Sequence, residues 1–339
     1  MQATASTVAV VLSLGFLAYV IHGRTASAAD SGAALLVVAN KGDQTLSIVD
    51  PTSGKQIAAV PVGGTTGHEV AVSPDGKSAW VPIYGNSGVG QPGTDGQTIS
   101  VIDLPSRKLV GQIELKQPSR PHCAVFGPKD GRLYVTTELT QTIQVIDPAT
   151  RTIVDSVPTG AAESHMMVLS SDGKRAYTAN VGTGTVSVID LQARKVVKVI
   201  PVAKVVQRIA ISPDGRWLFT ADQTKPQVAV VDTETNTVNK WIPLPSLGYG
   251  MAVTGDGNSL VVAHPASNSV SIVELHTMSV EKTIPVPASP QEILVPPGSA
   301  VAYVSCDKSK QVAVVDLSTK KVEKLIDVGA GADGLAWVR

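Results

Sequence analysis

One pattern returns seven times along the 339 residues, an apolar run closed by an acid: Ser47-Ile48-Val49-Asp50, Ser100-Val101-Ile102-Asp103, Gln144-Val145-Ile146-Asp147, Ser187-Val188-Ile189-Asp190, Ala229-Val230-Val231-Asp232, Ser271-Ile272-Val273-Glu274 and Ala313-Val314-Val315-Asp316. The closing acids are 53, 44, 43, 42, 42 and 42 residues apart, close to the repeat of a four-stranded propeller blade. Most periods also carry a turn such as Ser73-Pro74-Asp75-Gly76, Ser170-Ser171-Asp172-Gly173, Ser212-Pro213-Asp214-Gly215 or Thr254-Gly255-Asp256-Gly257. In these the Asp caps locally and the Gly supplies positive φ, so each marks a hairpin.

One period then parses as strand A over residues 165–169, strand B over 175–179, strand C over 185–190 and strand D over 195–201. The first copy lacks a strand A upstream, and residues 333–338 at the far end match that strand. The chain is therefore expected to be all-β: a seven-bladed propeller of four-stranded antiparallel blades over residues 29–339, closed by the C-terminal strand pairing with residues 35–39. Closure removes exposed sheet edges. No stretch of 12 or more residues after Ile21 has a 3.6-residue period, which excludes helical bundles and open βαβ sheets. Gly 30 and Pro 22, with Val, Ile and Ala as the main apolar residues, suit short strands and tight turns.

Twenty-eight basic residues balance 28 acidic ones, and without a basic run a nucleic-acid partner is not expected. Residues 8–21 are an apolar run of 14, followed by Ala26-Ser27-Ala28-Ala29. Such a segment is expected to be a signal peptide over residues 1–28, giving a periplasmic or secreted protein. The absence of Lys or Arg before the run leaves an uncleaved anchor, and with it membrane attachment, as the alternative. Cys123 and Cys306 fall in blades distant around the ring and are expected to be free thiols.

The blade pattern, best seen in Tyr177-Thr178-Ala179-Asn180 and Thr185-Val186-Ser187-Val188-Ile189-Asp190, resembles the YVTN-repeat (YncE-like) seven-bladed β-propellers over nearly the whole mature chain. That resemblance implies an exported propeller. Its relatives include lactonase-like propellers and the haem-binding propeller domain of nitrite reductases, so it fixes no reaction.

In a four-stranded meander the D-to-A and B-to-C connections share one face, and that face varies from blade to blade. Aligning the starts of the inner strands gives His68, His122, His165, Gln207, Tyr249, Gln291 and Asp333, a ring at the channel mouth that holds three of the six histidines. Two readings of the arc are open: a Zn²⁺ or Fe²⁺ site on His68, His122 and His165, or imidazoles that bond backbone and line a metal-free polar mouth. At the ends of the B strands stand Asn40, Glu138, Asn180, Asp222, His264 and Asp307. The second blade adds a Gly-rich excursion over residues 84–96, beginning at Tyr84, expected to act as a lid or ligand contact.

Arg120, Arg208 and Lys225 lie on the same face with Glu69, Glu163 and Glu292. The arginines either hold an anionic group or pair with these glutamates as solvated ion pairs. Strand alternation is expected to send neighbours such as His68 and Glu69 to opposite sides. The ligand-binding set is thus His68, Tyr84, Arg120, His122, His165, Asn180, Arg208, Asp222, Lys225, Tyr249, Gln291 and Asp333, with no catalytic residue assigned. No G-x-S-x-G elbow, phosphate loop or C-x-x-C-H haem site is present. The expected function is binding of a small polar or anionic molecule at the mouth. The alternatives are a lactone-hydrolase-like or lyase-like enzyme using the His arc, and a passive platform for another exported protein.

Overall fold

The computed structural model describes residues 34–339. The expected signal segment, residues 1–28, lies outside the described residues. Within them the chain forms 28 strands and one 3₁₀ turn, Asp307–Ser309. The strands make seven four-stranded antiparallel sheets, a seven-bladed β-propeller.

Blade 1 joins the two ends of the chain. Its strands, innermost first, are Ala332–Val338, Leu35–Asn40, Thr45–Asp50 and Lys55–Pro61. The closing pair runs antiparallel with Val37 opposite Ala336 and Leu36 opposite Trp337. Blades 2 to 7 follow in chain order. In blade 4 strands A to D are Ser164–Leu169, Arg175–Asn180, Thr185–Asp190 and Lys195–Pro201, within a residue of the spans expected from the repeat.

Both landmarks of the repeat have a structural cause. The acid closing strand C caps the turn into strand D: Asp316 Oδ1 accepts the amides of Ser318 and Thr319, both at 2.7 Å. In the A-to-B turn of blade 5 the Ser212 hydroxyl donates to Asp214 (2.5 Å) and accepts the Trp217 amide (2.9 Å), while Gly215 takes φ 73°. Alternate residues of strands B and C pack against neighbouring blades. Val37, Ala39, Leu46 and Ile48 of blade 1, for example, share a core with Ala79, Val81 and Ile83 of blade 2. Each such fully buried Val, Leu or Ile contributes about 1.5–3 kcal/mol, and ring closure repeats that packing without a free first or last blade.

The inner strands begin irregularly, and this shapes the channel mouth. In blade 4 Ser164 pairs with Asn180 and Met166 with Ala179, so His165 is an extra, unpaired residue. In blade 3 His122 and Cys123 lie between the pairs Pro121–Thr137 and Ala124–Val135. In blade 7 Gln291 and Glu292 lie between Pro290–Cys306 and Ile293–Val304. These are β-bulges, two residues facing one. Side-chain hydroxyls take up the amides left over: Cys123 N donates to Thr136 Oγ1 at 3.0 Å, and Glu292 N to Ser305 Oγ at 3.0 Å. Two residues before the ring position, Thr66, Arg120, Glu163, Ser289 and Gly331 all have positive φ, 49–73°, which turns the chain inward.

Candidate functional site at the channel mouth

A cavity of about 130 Å³ opens at the mouth, lined by Lys41 and Asp333 of blade 1, His68 and Tyr84 of blade 2, His122, His165, Gln207, Arg208 and Tyr249, and roofed by Ser87, Gly88 and Val89 of the excursion. A larger groove of about 490 Å³ runs between the outer parts of blades 2 and 3 along Leu115, Gln144 and Asp155. None of the ring residues borders it, so the smaller cavity is the candidate site.

The three imidazoles are neighbours, as the ring alignment requires, but they do not converge on one point. His122 and His165 stack with centroids 3.5 Å apart and planes tilted 31°. His68 and His122 meet edge-on, with Nε2 atoms 2.5 Å apart. His165 is held at both nitrogens: Nδ1 bonds Glu138 Oε1 and Nε2 lies 2.9 Å from Gln207 Nε2. With the amide as donor, Nδ1 carries the proton. Tyr84 donates to the other oxygen of Glu138 at 2.6 Å. The expected His68, His122, His165 metal triad is therefore corrected: among the described residues the donor groups within 4.8 Å of one another are His68, His122 and Glu69, and Glu69, Glu292 and Asp333, with His165 in neither.

Burial holds His68 well below the ordinary imidazole range, at about 3, although Asp333 opposes the shift. Burial also pushes His122 far down, helped by the neighbouring imidazoles. Both rings are neutral at physiological pH, with lone pairs available.

Beneath the rings lies a buried charge cluster. Arg208 is 3% exposed. It donates through Nη1 to Glu69 (2.6 Å) and Glu292, and through Nη2 to Asp333 at 3.0 Å. Asp333 also accepts from Lys41 at 2.9 Å, and Lys41 reaches Asp307 at 3.1 Å. Burial would raise the Asp333 carboxyl, but Arg208, Lys41 and His68 bring it below its ordinary value. Glu69 is pushed well up by burial, which Arg208 offsets only in part, with Glu292 and Asp333 adding to the rise. Glu292 is raised for the same reasons.

Several expectations are corrected here. Arg208 is not free to hold an anion, because three carboxylates already take it. Arg120 is not free either: it bonds Asp95 (2.6 Å) and the carbonyls of Gly88 (3.1 Å) and Gln91 (2.9 Å), and so pins the excursion to the face. The Arg208 pairs are buried, not solvated. His68 lines the cavity and Glu69 reaches Arg208 beside it, because the inner strand of blade 2 starts only at Ala71 and the alternation that would have separated them does not apply ahead of it.

Asn180, Asp222, Lys225 and Gln291 do not line the cavity. Asn180 ties its own blade together through Ser164, Thr178, Thr185 and Ser187. Asp222 caps Thr224 and accepts from Gln227. Lys225 is exposed on the turn, and the Gln291 amide bonds Ser289.

The residue that reaches the mouth from a B strand is the next one along. Asn40 pairs with Thr45 and Asn180 with Thr185, and both amides turn into the blade. Their equivalents in blades 2 and 3 are Ile83 and Thr137. One position later stand Lys41, Tyr84, Glu138 and Asp307. A one-residue shift exchanges the faces of a strand, which is why Asn180 and Asp222 are structural while Lys41, Glu138 and Tyr84 belong to the site. Glu69, Gln207 and Glu292 were visible in the sequence as members of the aligned ring or its neighbours; Lys41 had no signal beyond following Asn40. Both cysteines are free and buried.

Comparison with known proteins adds the following. The sequence profile of the cytochrome D1 heme domain family matches residues 129–279. Among solved structures, hydrazine synthase of Kuenenia stuttgartiensis superposes with a TM-score of 0.66 at 19% identity, over 78% of this chain and 87% of that one. Dihydro-heme d1 dehydrogenase NirN in complex with DHE superposes with a TM-score of 0.61 at 17% identity, over 86% of this chain and 63% of that one. The chain thus spans less than two thirds of the NirN chain. At these identities the likeness is one of fold. No curated protein matches.

Proposed function

We propose that the protein is an exported propeller of the YVTN type its blades resemble, and that its channel mouth binds a small polar molecule beneath residues 87–89. The observation that carries this reading is the cavity itself, where hydrogen-bonding groups from six blades face one space of about 130 Å³. That is below the roughly 300–1,000 Å³ of sites for drug-sized ligands, so the ligand is compact. It is neutral overall, because Arg208 and Lys41 are already paired with carboxylates.

The matched family and NirN are named for haem d1, and the residues present do not fit that group. A tetrapyrrole is a drug-sized ligand or larger, the roof lies across the mouth, and both arginines that could meet its carboxylates are engaged. The Glu138–His165 pair supports an enzymatic second reading. A carboxylate on Nδ1 fixes the tautomer, and Nε2 would act as a general base once a substrate displaces the Gln207 amide that now donates to it.

The test is a thermal-shift panel of small polyols, amides and lactones. A ligand at 100 times its Kd adds about 2.7 kcal/mol, and at least one compound is expected to raise the wild-type Tm by several degrees. The shift should vanish in His165→Ala and on deletion of residues 87–89. Equal shifts in wild type and both variants, or none in wild type, would overturn the proposal.

A further inference from the structure

We infer that His68 Nε2, His122 Nε2 and the carboxylate of Glu69 form a binding site for a divalent first-row transition ion, Zn²⁺ or Fe²⁺, at the floor of the mouth. The inference refines the reading of the mouth as a binding site but does not depend on the organic ligand.

Three observations converge. The first is that the two imidazoles make no side-chain hydrogen bond other than to each other. Their Nε2 atoms face one another at 2.5 Å, and His122 Nδ1 is buried with no partner. Buried polar atoms are ordinarily paired, and His165 next door has both nitrogens taken. The second is the position of Glu69, whose donor lies within 4.8 Å of both rings. Arg208 engages only its Oε1, leaving the other oxygen without a hydrogen bond among the described residues. Two imidazoles and one carboxylate with open positions is a donor set for catalytic zinc and for non-haem ferrous iron.

The third is charge. Glu69, Glu292 and Asp333 share only Arg208 and Lys41, and Lys41 is also bound to Asp307. The buried cluster is short of positive charge, and an ion on Glu69 supplies it. Occupancy requires little movement. Metal–nitrogen bonds of roughly 2.0–2.1 Å at a tetrahedral angle separate the two nitrogens by roughly 3.3 Å, so the rings part by roughly 0.8 Å and lose no bond to the rest of the protein. His165, stacked on His122, is then a positioning residue and not a ligand.

The test uses full-length protein carrying no histidine tag, stripped with chelator and titrated separately with Zn²⁺, Fe²⁺ under anaerobic conditions, and Co²⁺ as a spectroscopic probe. The expected result is one ion per chain, with Co²⁺ giving the visible bands of a four- or five-coordinate site without thiolate charge transfer. His68→Ala and Glu69→Gln should each weaken binding at least a hundredfold, while His165→Gln changes it less than tenfold. His68 is part-exposed, and an unchanged unfolding curve establishes that its variant folds. Absence of stoichiometric binding at 10-fold excess metal would overturn the inference, as would equal binding in both variants or a hundredfold loss in His165→Gln. A metal site without any hit in the thermal-shift panel would leave this inference standing and remove the small-ligand proposal. A panel hit on protein that takes up no stoichiometric metal would do the reverse.

Discussion

Replacing Arg208 by Met removes the one guanidinium that three buried carboxylates share, while keeping side-chain length beside Met166. Arg208 is 3% exposed and reaches Glu69, Glu292 and Asp333. Breaking a buried ion network from one side costs about 3–5 kcal/mol. At about 2 °C per kcal/mol for a domain of this size, Tm should fall by about 6–10 °C at pH 7. The deficit should depend on pH. Folded Glu69 and Glu292 hold their protons above the ordinary glutamate range, so above about pH 4.3 the native state binds more protons than the unfolded chain, and stability falls as pH rises. Without Arg208 this effect grows, so the deficit is largest at pH 7–8 and narrows toward pH 4.5. Adding Glu69→Gln and Glu292→Gln to the variant should recover most of the loss. Urea unfolding monitored by tryptophan fluorescence at pH 4.5, 6 and 8 measures all of this. A loss under about 1 kcal/mol, or one independent of pH, would refute the buried-cluster account.

Other consequences are open to measurement. Arg120→Ala should release the excursion, so limited proteolysis cuts within residues 86–93 several times faster while Tm drops by only a few degrees; unchanged cleavage would show that Arg120 does not pin it. Thr136→Val removes the acceptor for Cys123 N–H and the donor to the His165 carbonyl at 2.8 Å. It should cost about 1–3 kcal/mol in chemical denaturation, and a neutral result would count against the bulge geometry. Burial raises both thiols, Cys306 to about 12, so a thiol reagent at pH 8 should label neither cysteine until the protein is unfolded. Because folded His68 and His122 resist protonation, the unfolded chain binds more protons below about pH 6.5. These two imidazoles therefore make stability fall as pH drops from 6.5 toward 4, against the opposite slope from Glu69 and Glu292; the difference between the wild-type and His68→Ala curves isolates the His68 share, and no difference over that range would refute it.

The repeat made the architecture legible because the seven acid-closed runs and their turns report strand C and the A-to-B hairpin directly, through backbone caps that need those residue types. The ring of His68, His122, His165 and Asp333 was legible by the same period. What the period could not convey was side-chain direction. Strand A of blades 2 and 5 starts only at Ala71 and Ala210, so Glu69 and Arg208 lie ahead of the paired strand and escape the alternation that predicts the opposite. At the end of strand B a single residue separates Asn180, which braces its own blade, from the position that in other blades holds Lys41, Tyr84 and Glu138. The Arg208 cluster joins residues 139, 84 and 125 positions apart, a pairing that only ring closure creates. The commitment of both arginines to carboxylates, and with it the lack of a free guanidinium at the mouth, followed from that pairing and not from charge counts.

A crystal structure of the purified protein, soaked or not, tests the account most directly at one place. The expected structure has His122 stacked on His165 and edge-on to His68 beside residues 87–89, Arg208 held by Glu69, Glu292 and Asp333, and a pocket of about 130 Å³. Rings directed away from the channel, or an open mouth wide enough to take a flat macrocycle, would contradict it.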